Sequence, residues 1–118
     1  MMKRITIIDD DPWIQDAFSM VFDPTVYSVS IYGNPDTLYN NTGEKPDIII
    51  LDKQLSGVDG LDVCRYLKGN DNTKNIPVIM LSATPEITTL AKNAGADDAI
   101  EKPFKMNLLR EIVAKYVG

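Results

Sequence analysis

The sequence lacks several features that would assign it to a common functional class. It has one cysteine, Cys64, so no internal disulfide can form, and we expect a reducing, cytoplasmic compartment. No apolar run approaches the roughly 20 residues that span a bilayer. The first four residues lead straight into a strand-like run without a signal-peptide core. No glycine-rich phosphate loop follows any apolar run, which argues against a nucleotide-binding fold.

The chain also lacks the positive charge of a nucleic-acid-binding domain. It has 12 Lys and Arg against 17 Asp and Glu, a net charge of −5, and no basic run. Non-specific nucleic-acid binding depends on cations that neutralise phosphates, so we expect no direct nucleic-acid contact. At 118 residues the chain is near the commonest domain size. We therefore predict one domain, residues 1–118, that buries its own core.

Short β-branched runs alternate with segments of helical periodicity, which is typical of a parallel sheet covered by helices. Three of the helices are predicted to begin with a cap and a proline, at Asp11-Pro12, Asn34-Pro35 and Thr84-Pro85. The predicted strands are 3–8, 26–32, 47–51, 78–81 and 97–101. The predicted helices run from Pro12, from Asn34-Pro35 to about Asn41, over 61–68, from Thr84-Pro85 to Gly95, and over 108–116.

The hydrophobicity of each run indicates its place in the sheet. The third and fourth runs are apolar throughout, as central strands buried on both faces are. The second run alternates and the fifth is weak, as edge strands are. We predict an α/β, doubly wound, flavodoxin-like (βα)5 fold with strand order 2-1-3-4-5. In that order a crevice opens between strands one and three, at their carboxyl ends.

Polar side chains follow four of these runs where each one ends. They are Asp9 and Asp10, then Asp52, then Ser82, then Lys102. Because the carboxyl ends of parallel strands share one edge of a sheet, we expect these side chains to converge. Clustered carboxylates repel one another, and a divalent cation such as Mg²⁺ relieves that repulsion. With a cation present, an aspartate can attack phosphorus and form an aspartyl phosphate.

The chain resembles the receiver domain of response regulators, the CheY-like proteins of two-component and phosphorelay signalling. The resemblance covers essentially all 118 residues and rests on four motifs in the right order. These motifs are Ile7-Ile8-Asp9-Asp10-Asp11, Leu51-Asp52-Lys53-Gln54-Leu55-Ser56-Gly57-Val58-Asp59-Gly60, Met80-Leu81-Ser82-Ala83 and Gly95-Ala96-Asp97-Asp98-Ala99-Ile100-Glu101-Lys102-Pro103-Phe104.

The resemblance implies roles for the strand-end residues. Asp52 would be the phosphoacceptor. Asp9, Asp10, Asp52 and the backbone carbonyl of Gln54 would hold Mg²⁺ or Mn²⁺. Ser82 would be the switch hydroxyl, and Lys102 would pair with the phosphoryl group. The domain would catalyse its own phosphorylation and dephosphorylation without being a conventional enzyme.

Further residues would modulate this chemistry if the resemblance holds. Pro103 would follow a cis peptide bond, and Gln54 with Thr84 would set the rate at which the acyl phosphate is hydrolysed. Two positions depart from the family pattern. Ala99 stands where the family usually has an aromatic that swings inward, and Ser56 replaces a common proline. Ala99 is either ordinary variation on an edge strand or a sign that activation proceeds through the loop after Ser82 and the fourth helix.

The resemblance also implies partners. The chain has no histidine, so the phosphoryl group would come from a phosphohistidine on a sensor histidine kinase or a histidine phosphotransfer protein. A downstream effector protein or domain would respond, and a phosphorylation-dependent homodimer could form. The domain would bind no membrane. We expect either a stand-alone regulator or the receiver of a longer protein.

Two other functions remain open. One is a pseudo-receiver that is never phosphorylated and acts only as an interaction module. The other is a haloacid-dehalogenase-like phosphatase, whose Asp-x-Asp motif Asp9-x-Asp11 formally matches. Those enzymes place a further acidic pair after the lysine, whereas Asp97 and Asp98 precede Lys102 here. A chain of this length also has no room for the cap domain of those phosphatases.

Overall fold

A five-stranded parallel sheet with helices on both faces makes up the fold. The computed structural model describes residues 2–40 and 45–117. The strands lie in the order β2-β1-β3-β4-β5, which confirms the predicted order. The strands are β1 (Lys3–Ile8), β2 (Tyr27–Tyr32), β3 (Ile48–Asp52), β4 (Val78–Ser82) and β5 (Asp98–Glu101). The helices are α1 (Pro12–Val21), α2 (Asp36–Asn40), α3 (Gly60–Lys68), α4 (Ile87–Asn93) and α5 (Met106–Val117).

Burial along the strands follows their position in the sheet. Every residue of β3 and β4 is buried, and in β2, at the edge, half-buried residues alternate with exposed ones. Strand β1 pairs with β2 on one side and β3 on the other, so Ile8 lies opposite Leu51 of β3. The last residues of β1 and β3 therefore end side by side. This register places Asp9 beside Asp52.

The sheet separates two hydrophobic clusters. On one face α1 and α5 contribute Phe18, Leu109 and Val113. On the other face α3 and α4 contribute residues that include Cys64, which is fully buried, as a core residue is. The helices that follow β1 and β3 thus pack on opposite faces, and their connecting loops part at the carboxyl ends of these strands.

The predicted helix boundaries were partly wrong. Thr84-Pro85 does not cap α4, because Pro85 and Glu86 form a turn in which the Ile87 N–H donates to the Thr84 carbonyl at 3.1 Å. The α3 helix begins one residue earlier than predicted, at Gly60. Asn41, the predicted end of the second helix, lies outside the described residues.

A small hairpin between β3 and α3 was not predicted. Gln54–Leu55 pairs in antiparallel fashion with Val58–Asp59, and Gly57 turns the chain with φ of 75°. Such a backbone conformation favours glycine. The buried side chain of Leu55 fixes the hairpin to the core, and the Asp59 carboxylate caps α3 by accepting from Leu61 N–H. The hairpin therefore forms one wall of the crevice.

Over residues 2–40 and 45–117, none of the helices combines the length and the apolar character needed to cross a membrane.

Candidate functional site

The predicted site residues converge at the carboxyl ends of the strands. One carboxylate oxygen from each of Asp9, Asp10 and Asp52 lies within 4.8 Å of the other two. The Lys102 ammonium lies against two of these carboxylates. Ser82 is buried at the end of β4, next to β3 in the sheet. Asp9, Asp10, Asp52 and Lys102 therefore meet as predicted, and Ser82 lies at the same edge of the sheet.

The surrounding backbone holds Asp52 in place. It ends the fully buried β3, and its neighbour Lys53 donates its N–H to the Leu81 carbonyl at 2.9 Å. The Gln54 N–H donates to Asp52 Oδ1 at 3.2 Å. The chain then returns so closely that a Cβ atom on Gly60 would overlap the Asp52 carbonyl oxygen. Only a residue without a side chain can take that position.

Lys102 joins the two innermost carboxylates. Its Nζ lies 3.1 Å from Asp9 Oδ2 and 3.4 Å from Asp52 Oδ2. The Lys102 N–H also donates to the Ser82 carbonyl at 2.8 Å, which ties the backbone of the lysine to the end of β4. The Lys102–Pro103 peptide bond is cis, as the sequence predicted.

The two aspartates after β1 have different surroundings. Asp9 is fully buried, and its Oδ1 accepts from the Asp11 N–H at 3.0 Å. Asp10 is half-buried and faces the hairpin, where its Oδ2 accepts from the N–H and hydroxyl of Ser56 at 2.8 and 2.7 Å. Asp11 points away from the cluster and caps α1 by accepting from the Trp13 N–H.

The site carries more negative than positive charge. Burial and the Asp9 carboxylate raise the pKa of Asp52 above the ordinary aspartate range, and the Lys102 ammonium offsets this only in part. The hydrogen bonds from Ser56 lower the pKa of Asp10, so that carboxylate is ionised at neutral pH. Three clustered carboxylates with one ammonium form an anionic set of hard oxygen donors. That set suits Mg²⁺ or Mn²⁺.

A second network connects the hairpin to the end of β4. The Ser82 hydroxyl donates to Gln54 Oε1 at 3.3 Å and accepts from the Thr84 N–H at 3.0 Å. Gln54 Nε2 in turn donates to Thr84 Oγ1 at 3.3 Å. The Gln54 side chain therefore lies between the two hydroxyls. These contacts place Gln54, Ser82 and Thr84 together.

Three other side chains near the site have surroundings that differ from those of the clustered carboxylates. Ala99 is half-buried in β5 and pairs with Met80, so it packs against the core rather than facing the carboxylates. Trp13 is 85% exposed. Lys53 forms an ion pair with Asp59 at 3.5 Å, within the hairpin. The contact of Ser56 with Asp10 was not foreseen, although a serine in place of a common proline was a visible signal.

Comparison with known proteins places this geometry in a family. The sequence model of the response regulator receiver domain family matches residues 5–114. The DNA-binding response regulator MtrA of Mycolicibacterium smegmatis is 32% identical over 118 residues, which cover 98% of this chain and 49% of that protein. The chain thus spans about half the length of the curated relatives that it matches.

Solved structures share the fold. The receiver domain of a signal transduction histidine kinase from Syntrophus aciditrophicus superimposes with a TM-score of 0.86 at 30% identity, covering 98% of this chain and 89% of that one. The receiver domain of the sensor histidine kinase PA1611 from Pseudomonas aeruginosa superimposes with a TM-score of 0.85 at 23% identity, covering 100% and 99%. That structure has a magnesium ion coordinated in its active-site cleft.

Proposed function

Because the chain belongs to the family of response-regulator receiver domains, we propose that it accepts a phosphoryl group on Asp52 from a partner's phosphohistidine. The observation that carries this proposal is the cluster of three carboxylates within 4.8 Å, two of which contact the Lys102 ammonium. Asp52 is the member that ends the central strand. Residues 1–118 form the receiver domain in this proposal.

In the proposed reaction, a carboxylate oxygen of Asp52 attacks phosphorus. The bond from phosphorus to the imidazole nitrogen of the donor breaks, and its electron pair stays on that nitrogen. The product is an acyl phosphate on Asp52. Lys102 lies 3.4 Å from Asp52 Oδ2, so its ammonium is placed to neutralise charge on the transferred group. Because the chain has no histidine, the donor must be another protein or domain.

The carboxylates of Asp9, Asp10 and Asp52, with the backbone carbonyl of Gln54, would hold Mg²⁺ or Mn²⁺. When bound, such an ion neutralises charge on the transferring phosphoryl oxygens. The donor set supports this assignment, since it carries an excess of negative charge and only oxygen ligands. The magnesium ion in the cleft of the PA1611 receiver domain is a further support.

The proposed response starts at Ser82. Its hydroxyl would leave Gln54 and donate to a phosphoryl oxygen. In the structure, the Thr84 N–H donates to the Ser82 hydroxyl. The loop after β4 would therefore move together with that hydroxyl. Because Ala99 is too small to turn inward as an aromatic does, this loop and α4 would carry the change to the surface. Pro103 would keep Lys102 oriented toward the carboxylates.

We further propose the partners and the compartment. A sensor histidine kinase or a histidine phosphotransfer protein would supply the phosphoryl group, and an effector protein or domain, or a second copy of the chain, would bind the altered surface. The net charge of −5 argues against nucleic-acid binding by this domain. The buried, unpaired Cys64 favours the cytoplasm.

Acetyl phosphate, a small phosphoryl donor, tests the proposed function directly. With Mg²⁺ present, intact mass spectrometry should detect the addition of one phosphoryl group, because the Asp52 carboxylate needs only a donor and charge neutralisation. Hydroxylamine should remove the group, as it does from an acyl phosphate, and a chelator should prevent its addition. The proposal is wrong if no adduct forms, and the domain would then be an interaction module only.

The lifetime of the acyl phosphate should depend on the side chains of Gln54 and Thr84. They are hydrogen-bonded beside Ser82, so we expect them to limit the approach of water. Replacing both by alanine should speed hydrolysis about 3- to 10-fold, the effect of losing one hydrogen bond. The decay of the adduct measures this rate. Thr88→Ala, on the exposed side of α4, is the control and should leave it unchanged. Equal rates in all three proteins would contradict the prediction.

A further inference from the structure

We infer that Ser56 is a positioning residue of the proposed cation site, because it holds the Asp10 carboxylate in the orientation that a bound cation needs. This inference rests on the proposed function. Ser56 is not one of the strand-end residues, and it lies in the hairpin, in direct contact with Asp10. Its role therefore depends on how the hairpin is anchored.

Two short hydrogen bonds join Ser56 to Asp10. The Ser56 hydroxyl donates to Asp10 Oδ2 at 2.7 Å, and the Ser56 N–H donates to the same oxygen at 2.8 Å. Hydrogen bonds of this length to an ionised carboxylate are the strong kind. The other oxygen, Oδ1, receives no hydrogen bond from another residue in the described ranges 2–40 and 45–117. Ser56 thus fixes the orientation of the Asp10 carboxylate through one of its two oxygens.

Asp10 needs such a partner more than its neighbours do. Asp9 and Asp52 contact the Lys102 ammonium directly, at 3.1 and 3.4 Å. The Ser56 N–H and hydroxyl donate the hydrogen bonds that Asp10 Oδ2 accepts. Without them, repulsion from the two inner carboxylates would favour rotamers in which the half-buried Asp10 turns toward solvent.

The hairpin places Ser56 rigidly. Leu55 is buried and pairs with Val58, so the chain on both sides of the turn is fixed to the core. Gly57 allows the tight reversal that follows Ser56. A proline at position 56 would have neither the N–H nor the hydroxyl. This serine therefore provides two donors that the residue common in the family cannot provide.

Calorimetric titration of the whole chain with Mg²⁺ tests the inference. Ser56→Ala removes the hydroxyl and keeps the N–H, and we expect its dissociation constant for Mg²⁺ to rise about tenfold, as when a partner of a metal ligand is removed. Ser56→Thr keeps a hydroxyl and should bind within about twofold of the unsubstituted chain. Ser19→Ala is the matched control, because that hydroxyl donates to the Asp16 carbonyl on α1. It should bind as the unsubstituted chain does.

The possible failures are distinguishable. If the unsubstituted chain binds no Mg²⁺, the proposed cation site is wrong and the inference falls with it. If Asp10→Asn weakens binding and Ser56→Ala does not, the cation site stands and the role of Ser56 is overturned. Thermal unfolding without Mg²⁺ checks that each variant is folded. Weaker binding by a folded Ser56→Ala together with normal binding by Ser56→Thr supports positioning, and weaker binding by both variants contradicts it.

Discussion

Replacing Asp52 by asparagine should abolish the phosphate adduct and, without divalent cations, raise the free energy of unfolding by about 1–2 kcal/mol. The adduct is lost because an amide does not act as the nucleophile. Stability rises because the buried carboxylate is unfavourable in the folded chain. Burial and the Asp9 charge raise the pKa of Asp52, and the nearby Lys102 does not compensate fully.

The stability gain should depend on pH in a defined direction. A carboxyl group whose pKa is raised by folding binds its proton more tightly in the folded state. The loss of stability caused by burying the ionised carboxylate is therefore absent below the pKa that Asp52 has in the unfolded chain. It develops as the pH rises through the pKa that Asp52 has in the folded chain. Urea unfolding in the presence of a chelator should find the variant and the original chain about equally stable near pH 3.5, and the variant more stable at pH 7.

An exposed carboxylate provides the control for Asp52. The Asp71 side chain is 94% exposed, so Asp71→Asn should change stability by no more than about 0.5 kcal/mol and should keep the phosphate adduct. Persistence of the adduct in Asp52→Asn would show that another residue accepts the phosphoryl group. Lower stability of that variant at pH 7 would show that Lys102 outweighs the cost of burial.

Gly60→Ala should destabilise the chain by about 3 kcal/mol, the upper range for overpacking. Helix propensity alone predicts the opposite, since alanine stabilises a helix relative to glycine. Here the added Cβ would overlap the Asp52 carbonyl oxygen and lie 2.8 Å from Lys53 Cα. Both are backbone contacts, so no side chain can move away to relieve them. The strand end and the start of α3 would have to separate.

Urea unfolding measures this loss, and a second glycine gives the comparison. A Cβ on Gly33 would meet only the end of the Gln15 side chain, at 3.8 Å. Gly33→Ala should therefore change stability by no more than about 0.5 kcal/mol. If Gly60→Ala changes stability as little as Gly33→Ala does, β3 and α3 are less tightly joined than the contact with Asp52 indicates. Of these two variants, only Gly60→Ala should lose magnesium affinity, because the added Cβ atom displaces Asp52.

The sequence was sufficient to predict the sheet and the inner site. Apolar runs identified the central strands, and the polar residue after each run marked the common edge. The spacing of those positions then predicted that Asp9, Asp52 and Lys102 would meet. These predictions succeeded because they depend on strand order and burial, which hydrophobic pattern encodes.

The parts that could not be predicted depend on side-chain contacts between loops. Thr84-Pro85 is a typical helix start, but the Thr84 side chain accepts from Gln54 and the helix begins later. The hairpin after β3 is only two residues long on each side, too short for an alternating pattern to identify. The hydrogen bond from Ser56 to Asp10 joins positions 46 residues apart, and a serine at position 56 does not by itself identify its partner.

The ion pair between Lys102 and Asp9 also bears on how the chain is made. The two residues are 93 positions apart, so Asp9 leaves the ribosome long before its counter-ion has been synthesised. Until then the growing chain has two inner carboxylates without their shared cation, and burying them would be costly. We therefore expect the crevice to close only after β5 has emerged. Under the proposed function, incomplete chains would therefore not accept a phosphoryl group.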